Sequence, residues 1–339
     1  LKKTAVFFLL AVIVAGFYFR VDYQLQRGPA LEEAEGDFSV PIKIERGSSL
    51  REIATQLQEE GIIRSRRIFE IYVLLNNYQG NLQAGTYIFS DNDDLLKVVD
   101  TLKEGETASY RITIPEGFTV EEIIERVSNV SDYSQEEVEE ALTNSSIERE
   151  YFPGNDEVKY QSEGFLFPDT YIIPYDFTPE EIFQVMVTKF ENKWLSQIEN
   201  QLEKREAAEK NLSVADYVTI ASLIEKEANL ATEKPRIAGV IYNRLEQDMR
   251  LQLDASVQYA LPDRVTRVLY SHLEVDSSYN TYRNDGLPPG PIASPGDESL
   301  KAALEPEEND YLFYFARPDG SHIFTSDYQE HLRRQREEL

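Results

Sequence analysis

Two glutamates, Glu225 and Glu227, stand two residues apart in the run Ala221-Ser222-Leu223-Ile224-Glu225-Lys226-Glu227-Ala228. A carboxyl shut among apolar groups loses hydration of its charged form and keeps its proton to higher pH. Such a group suits general acid chemistry at a departing oxygen, as in glycosidic cleavage. The surrounding sequence reads as a helix: Ser213 precedes it and Asp216 follows three residues on, as in a capping box. At 100° per residue the positions nearest Glu225 around the axis are Val214, Val218, Ala221, Ser222 and Ala228, an apolar face of small residues. Glu227 points almost the opposite way, toward Asp216, Ile220 and Leu223. An ordinary structural role for Glu225, paired with Arg236 or Arg244, stays open on spacing alone.

Downstream stand Tyr242-Asn243-Arg244, Met249-Arg250-Leu251-Gln252 and Tyr279-Asn280-Thr281-Tyr282. Amides bond hydroxyl and acetamido groups, and aromatic rings stack on pyranose faces. Each of these side chains can equally serve the core, with Asn243 as a helix cap and Tyr242 as packing. Two loops, Glu163-Gly164-Phe165-Leu166-Phe167-Pro168-Asp169-Thr170-Tyr171 and Gly286-Leu287-Pro288-Pro289-Gly290-Pro291, carry enough proline and glycine to fix backbone shape around a site.

The elements that must hold these residues read as α+β. Ile42-Lys43-Ile44-Glu45-Arg46-Gly47-Ser48-Ser49 and Ile112-Thr113-Ile114-Pro115-Glu116-Gly117-Phe118-Thr119 are parallel passages offset by 70 residues. Each predicts a strand, a glycine turn and a capped amphipathic helix. The unit is similar to half of a LysM module, the βααβ fold of many glycan-binding wall proteins. With a helix at about 66–77 and a strand at 85–89, residues 38–108 are expected to form one LysM-like domain. Residues 109–339 form a larger α+β domain, with helices expected at about 119–128, 134–142, 179–206 and from Val214 onward.

Ahead of both domains, residues 21–37 have linker composition. Lys2 and Lys3 precede an apolar run from Ala5 to Phe19. Fifteen helical residues span about 22 Å against a hydrocarbon core of about 30 Å, which snorkelling lysines can bridge. No A-x-A cleavage site follows, so residues 1–20 are expected to be a cytoplasmic tip and an uncleaved transmembrane anchor, with the rest outside the inner membrane.

Composition removes other classes. The chain has 339 residues, 41% of them hydrophobic, and 34 basic against 61 acidic residues, a formal charge of −27. That balance repels phosphate backbones and argues against nucleic acid. Without cysteine there is no disulfide, thiolate metal site or cysteine nucleophile. His272, His322 and His331 lack zinc-motif spacing, and no cofactor is expected.

The ordered series EGFLFPDTY (163–171), ASLIEKEA (221–228), AGVIYNRL (238–245), MRLQ (249–252), YNTY (279–282) and GLPPGPI (286–292) resembles the endolytic murein transglycosylase (YceG-like) family along nearly the whole chain. The resemblance implies a lyase that cuts the MurNAc-GlcNAc β-1,4 bond of nascent peptidoglycan strands and leaves 1,6-anhydro ends. It makes Glu225 the catalytic acid/base and suggests Glu163, Asp169, Gln252, Asn280 and Tyr282 as substrate-binding residues. It also implies peptidoglycan synthases as partners. Leu253-Asp254-Ala255 departs from the family's Ser-Asp-Pro, and Glu330-His331-Leu332 from its Glu-His-Asn, which touches subsite details. A hydrolase using Glu163, Asp169 or Asp254 to activate water, and a noncatalytic wall tether, remain as alternatives.

Overall fold

The computed structural model describes residues 39–90, 93–143, 147, 149–206, 212–263, 265 and 267–338. The expected anchor and linker lie outside the described residues. Among the described residues no helix is long and apolar enough to cross a membrane. The architecture is α+β: twelve α-helices and three two-stranded sheets among those residues. The chain divides into two units, one running to Tyr110 and including Ile172–Phe177, the other made of Arg111–Tyr171 and Thr178–Leu339.

In the first unit, β1 (Ser39–Ile44) runs antiparallel to β2 (Gly85–Ser90), pairing Ile42 with Tyr87 and Ile44 with Gly85. Strand alternation sends Ile42 and Ile44 to one face, where they are buried. Between the strands, α1 (Leu50–Glu59) starts at a Ser49/Glu52 capping box and buries Ile53, Ala54 and Leu57. Helix α2 (Arg66–Leu75) adds Phe69 and Val73, one turn apart, to the same core. Helix α3 (Leu95–Glu104) follows, capped by Asp94 and ended by Gly105 at φ +71°.

Strands β3 (Ser109–Thr113) and β4 (Thr170–Pro174) form the second two-stranded sheet, and the helices that follow belong to the second unit. Helix α4 (Val120–Ser128) repeats the cap of α1 with Thr119 and Glu122. Then come α5 (Gln135–Thr143), α6 (Pro179–Phe190) and α7 (Ser196–Glu206). One π-helical turn, Glu191–Leu195, joins α6 to α7, so the long helix expected over 179–206 is one run with a local widening around buried Trp194.

Helix α8 (Val214–Glu227) is the centre of this unit. From Val214 to Ile224 every residue but Asp216 is buried, so the helix is apolar nearly all round and must be enclosed. Helices α9 (Lys234–Glu246), α10 (Asp254–Ala260), α11 (Asp297–Leu304) and α7 enclose it. Two of its buried hydroxyls bond locally: Thr219 donates to the Ala215 carbonyl, and Ser222 donates to the Thr219 carbonyl. A β5 (Phe313–Ala316) and β6 (His322–Thr325) hairpin and α12 (Tyr328–Glu338) complete the unit.

Candidate active site

Glu225 lies one residue beyond the last fully buried position of α8. Its side chain is 10% exposed and its carboxylate is densely bonded. Lys234, the first residue of α9 and 7% exposed at its side chain, places Nζ 3.1 Å from Oε2 and 3.3 Å from Oε1. The Gly296 N–H donates to Oε2 at 3.0 Å, and the Ser299 hydroxyl donates to it at 2.7 Å. Gly296 caps the N-terminus of α11, where unsatisfied amides and the helix dipole favour an anion. Among the described residues Oε2 therefore carries three donors, whereas Oε1 meets only the longer Lys234 contact. Oε1 is the oxygen with lone-pair capacity left for a proton in transit.

These surroundings correct the apolar setting expected from the helical projection. Periodicity reports the residues of α8 itself, and its small side chains do flank Glu225. Small side chains also let other segments approach, and those segments bring an ammonium, a hydroxyl and an amide. Arg236 and Arg244 are not the partners: Arg236 pairs with Glu307, and Arg244 donates to the carbonyls of Leu312, Leu251 and Arg250. Asn243 is no cap either, since it ties the Asn309 and Tyr311 carbonyls.

The turn between β3 and α4 comes up against the same carboxylate. The Gly117 N–H donates to the Ser294 carbonyl at 2.8 Å, and the Ser294 N–H to the Phe118 carbonyl at 2.7 Å. A β-carbon at Gly117 would lie 3.7 Å from Cγ of Glu225, and one at Gly296 would fall inside the Glu116 carboxyl. Glu116 is thus a second carboxyl at the site. Burial of that carboxyl, and next the charge of Glu225, raise its pKa, while Lys234 opposes the shift. Sequence reasoning missed Glu116, Lys234, Gly296 and Ser299. A signal existed for the first: Glu116 occupies the repeat position held by Arg46 in the earlier passage.

Glu163 is 1% exposed. It accepts from the Val120 N–H at the start of α4, at 3.1 and 3.2 Å, and from the Tyr259 hydroxyl at 3.1 Å. Burial pushes its pKa up to about 8, against the lowering effect of both donors. Glu163 lines a cavity of about 1020 Å³ together with Glu121, Glu122, Lys159, Tyr160, Lys226, Tyr259 and Tyr279. The volume lies at the top of the range for ligand sites. Glu225 is not in that lining, although its neighbour Lys226 is, with Nζ on the Gly117 carbonyl.

The other residues expected at the site are placed elsewhere than in that lining. Asp169 pairs with Lys189 at 2.8 Å, which together with the Thr170 N–H holds its pKa below the usual value. Asn280 is fully buried and spends its amide on the Leu273 and Val275 carbonyls and the Tyr282 N–H. Tyr282 donates to Asp254 at 2.7 Å, and Gln252 sits exposed at φ +50°. Glu227 accepts from the Tyr314 hydroxyl at 3.0 Å, and burial raises its pKa. Among the described residues no group of three or more His, Cys, Asp or Glu side chains is arranged to hold a metal ion.

Residues 42–337 match the YceG-like family. The chain belongs to that family. It is 36% identical over 313 residues to the endolytic murein transglycosylase of Bacillus subtilis (strain 168), covering 88% of this chain and 84% of that protein. Identity to the endolytic murein transglycosylase of Streptococcus pneumoniae serotype 2 is 31% over 349 residues, covering 95% of this chain and 62% of that longer protein. A crystal structure of a YceG-like protein from Listeria monocytogenes superposes with a TM-score of 0.61 at 35% identity, covering 88% of this chain and 99% of that one.

Proposed function

We infer that this YceG-like chain is a peptidoglycan lytic transglycosylase that cuts glycan strands internally, with Glu225 as its acid/base. The observation that carries the reading is the Glu225 carboxylate, nearly buried and oriented by Lys234, Gly296 and Ser299, in a chain related to two endolytic murein transglycosylases.

Protonated on Oε1, Glu225 delivers its proton to the oxygen joining N-acetylmuramic acid to N-acetylglucosamine. The resulting carboxylate takes the proton of the muramoyl 6-hydroxyl, whose oxygen closes on C1 of the same sugar. One C–O bond breaks, one forms, and the proton returns to Glu225 without consuming water. Intramolecular attack can be equivalent to about 10⁵ M of external nucleophile or more, so no residue need activate water. Donors fixed on Oε2 keep the carboxyl in one orientation through both transfers. The cavity beside Lys226 offers carboxylates to sugar hydroxyls and tyrosine rings to sugar faces.

The β1-α1-α2-β2 order supports a LysM-like, glycan-holding role for the first unit. Lys2, Lys3 and the apolar run 5–19 support attachment to the cytoplasmic membrane with both units outside it. In that position the enzyme meets strands as synthases extrude them and ends their elongation. The test is cleavage of uncrosslinked glycan strands in water labelled with heavy oxygen. Product ends that are 1,6-anhydro and unlabelled support the reading, and labelled hemiacetal ends replace it with hydrolysis.

A further inference from the structure

The mechanism above, on which this inference rests, leaves one group at the site without a task. Glu225 is surrounded by donors suited to its ionised form: the Lys234 ammonium, the Ser299 hydroxyl and the amide at the start of α11. A general acid must nevertheless carry a proton at working pH. Something at the site has to oppose those donors. We propose that Glu116 is a positioning residue of the proton-transfer centre: its carboxyl stands across Gly296 from that of Glu225, and like-charge repulsion keeps one proton on the pair.

Three placements support this. The turn carrying Glu116 is tied to the segment before α11 by the two backbone bonds between Gly117, Phe118 and Ser294. Gly296, whose N–H bonds Glu225, leaves the space of its missing β-carbon to the Glu116 carboxyl. The positive φ of Gly117, +76°, turns the chain so that its own missing β-carbon faces Glu225. The charged groups around Glu116 are Glu225 and Lys226 on α8, Lys234 on α9, and Asp297 and Glu298 on α11, with Asp297 paired to Lys193 and Lys226 donating to the Gly117 carbonyl. Burial of the Glu116 carboxyl and the neighbouring charge of Glu225, against the opposing pull of Lys234, make full ionisation of the pair costly. Two interacting carboxyls lose their protons in separate macroscopic steps, and the later step belongs to the pair.

Removing the Glu116 charge lets the surviving donor lose its proton at lower pH. For Glu116→Gln in the full chain, the alkaline limb of the kcat/KM profile for release of 1,6-anhydro ends should therefore move to lower pH. Each unit of movement costs about tenfold on the alkaline side, with activity on the acid side retained. Gly296→Ala displaces the Glu116 carboxyl without removing a charge and should move the limb the same way. Glu116→Asp should restore part of the wild-type profile. Thermal unfolding of each variant identifies any that do not fold, and the remaining variants then decide. An unchanged profile, or an equal fall at every pH, overturns the inference. Glu225→Gln separates the two claims: turnover by that variant sinks the reading of Glu225 itself, whereas its inactivity beside an unshifted Glu116→Gln profile sinks only the role of Glu116.

Discussion

Lys234→Met tests whether the Glu225 site is held as an ion pair. The two side chains are 7% and 10% exposed, so the ammonium leaves behind a carboxylate with little access to water. Removing one partner of a buried pair typically costs about 3–5 kcal/mol. Glu225 keeps the Gly296 amide and the Ser299 hydroxyl, which places the expected loss near 3 kcal/mol. For a domain of this size that corresponds to a fall in Tm of about 6–12 °C. Adding Glu225→Gln removes the orphaned charge, so the double variant should recover stability relative to Lys234→Met alone. Thermal unfolding of the four proteins closes the double-mutant cycle. A loss below about 1 kcal/mol, the worth of an exposed pair, or a double variant no better than the single one, would refute the buried pairing.

Glu163, with its pKa pushed up to about 8 from 4.5, binds its proton more tightly when folded. Stability should therefore fall as pH rises from about 4.5 to 8, by on the order of 4–5 kcal/mol, then level off. Glu163→Gln should flatten that part of a Tm–pH curve, and an unaltered slope counts against the assignment. Gly164→Ala meets both a φ of +84° and a β-carbon position 2.5 Å from Pro291 and 2.9 Å from Val218. A loss above about 2 kcal/mol in urea unfolding is expected, and near-neutrality contradicts it. Asp169→Asn breaks only an exposed pair and should cost under about 1 kcal/mol. Its kcat/KM on glycan strands should match wild type, and a large fall would return Asp169 to the site.

Local signals carried the elements of this fold well. Ser49 with Glu52, Thr119 with Glu122 and Ser213 with Asp216 each mark a helix start, and all three form reciprocal caps. The run after Ser213 was legible as a helix for the same reason, whereas its enclosure on nearly every side came only with the fold. The widening at Glu191–Leu195 was not, because a π turn leaves no mark on apolar spacing. At the site, Glu225 could be singled out from its helix, but its partners could not. Lys234 comes from the next helix, and Gly296 and Ser299 lie more than 70 residues away in sequence. Asn280 shows the converse: an amide suited to a sugar by type is consumed by the backbone carbonyls of Leu273 and Val275. Residue type announces capacity, and only the fold shows whether that capacity is already used.

The decisive measurement is mass spectrometry of the fragments that wild type and Glu225→Gln release from purified glycan strands, with the fold of the variant verified by its melting curve. A proton carried by Glu225 requires 1,6-anhydro ends from the wild type and a loss of at least about 10²-fold in the variant. Anhydro fragments released by Glu225→Gln at the wild-type rate would mean that the proton comes from another group.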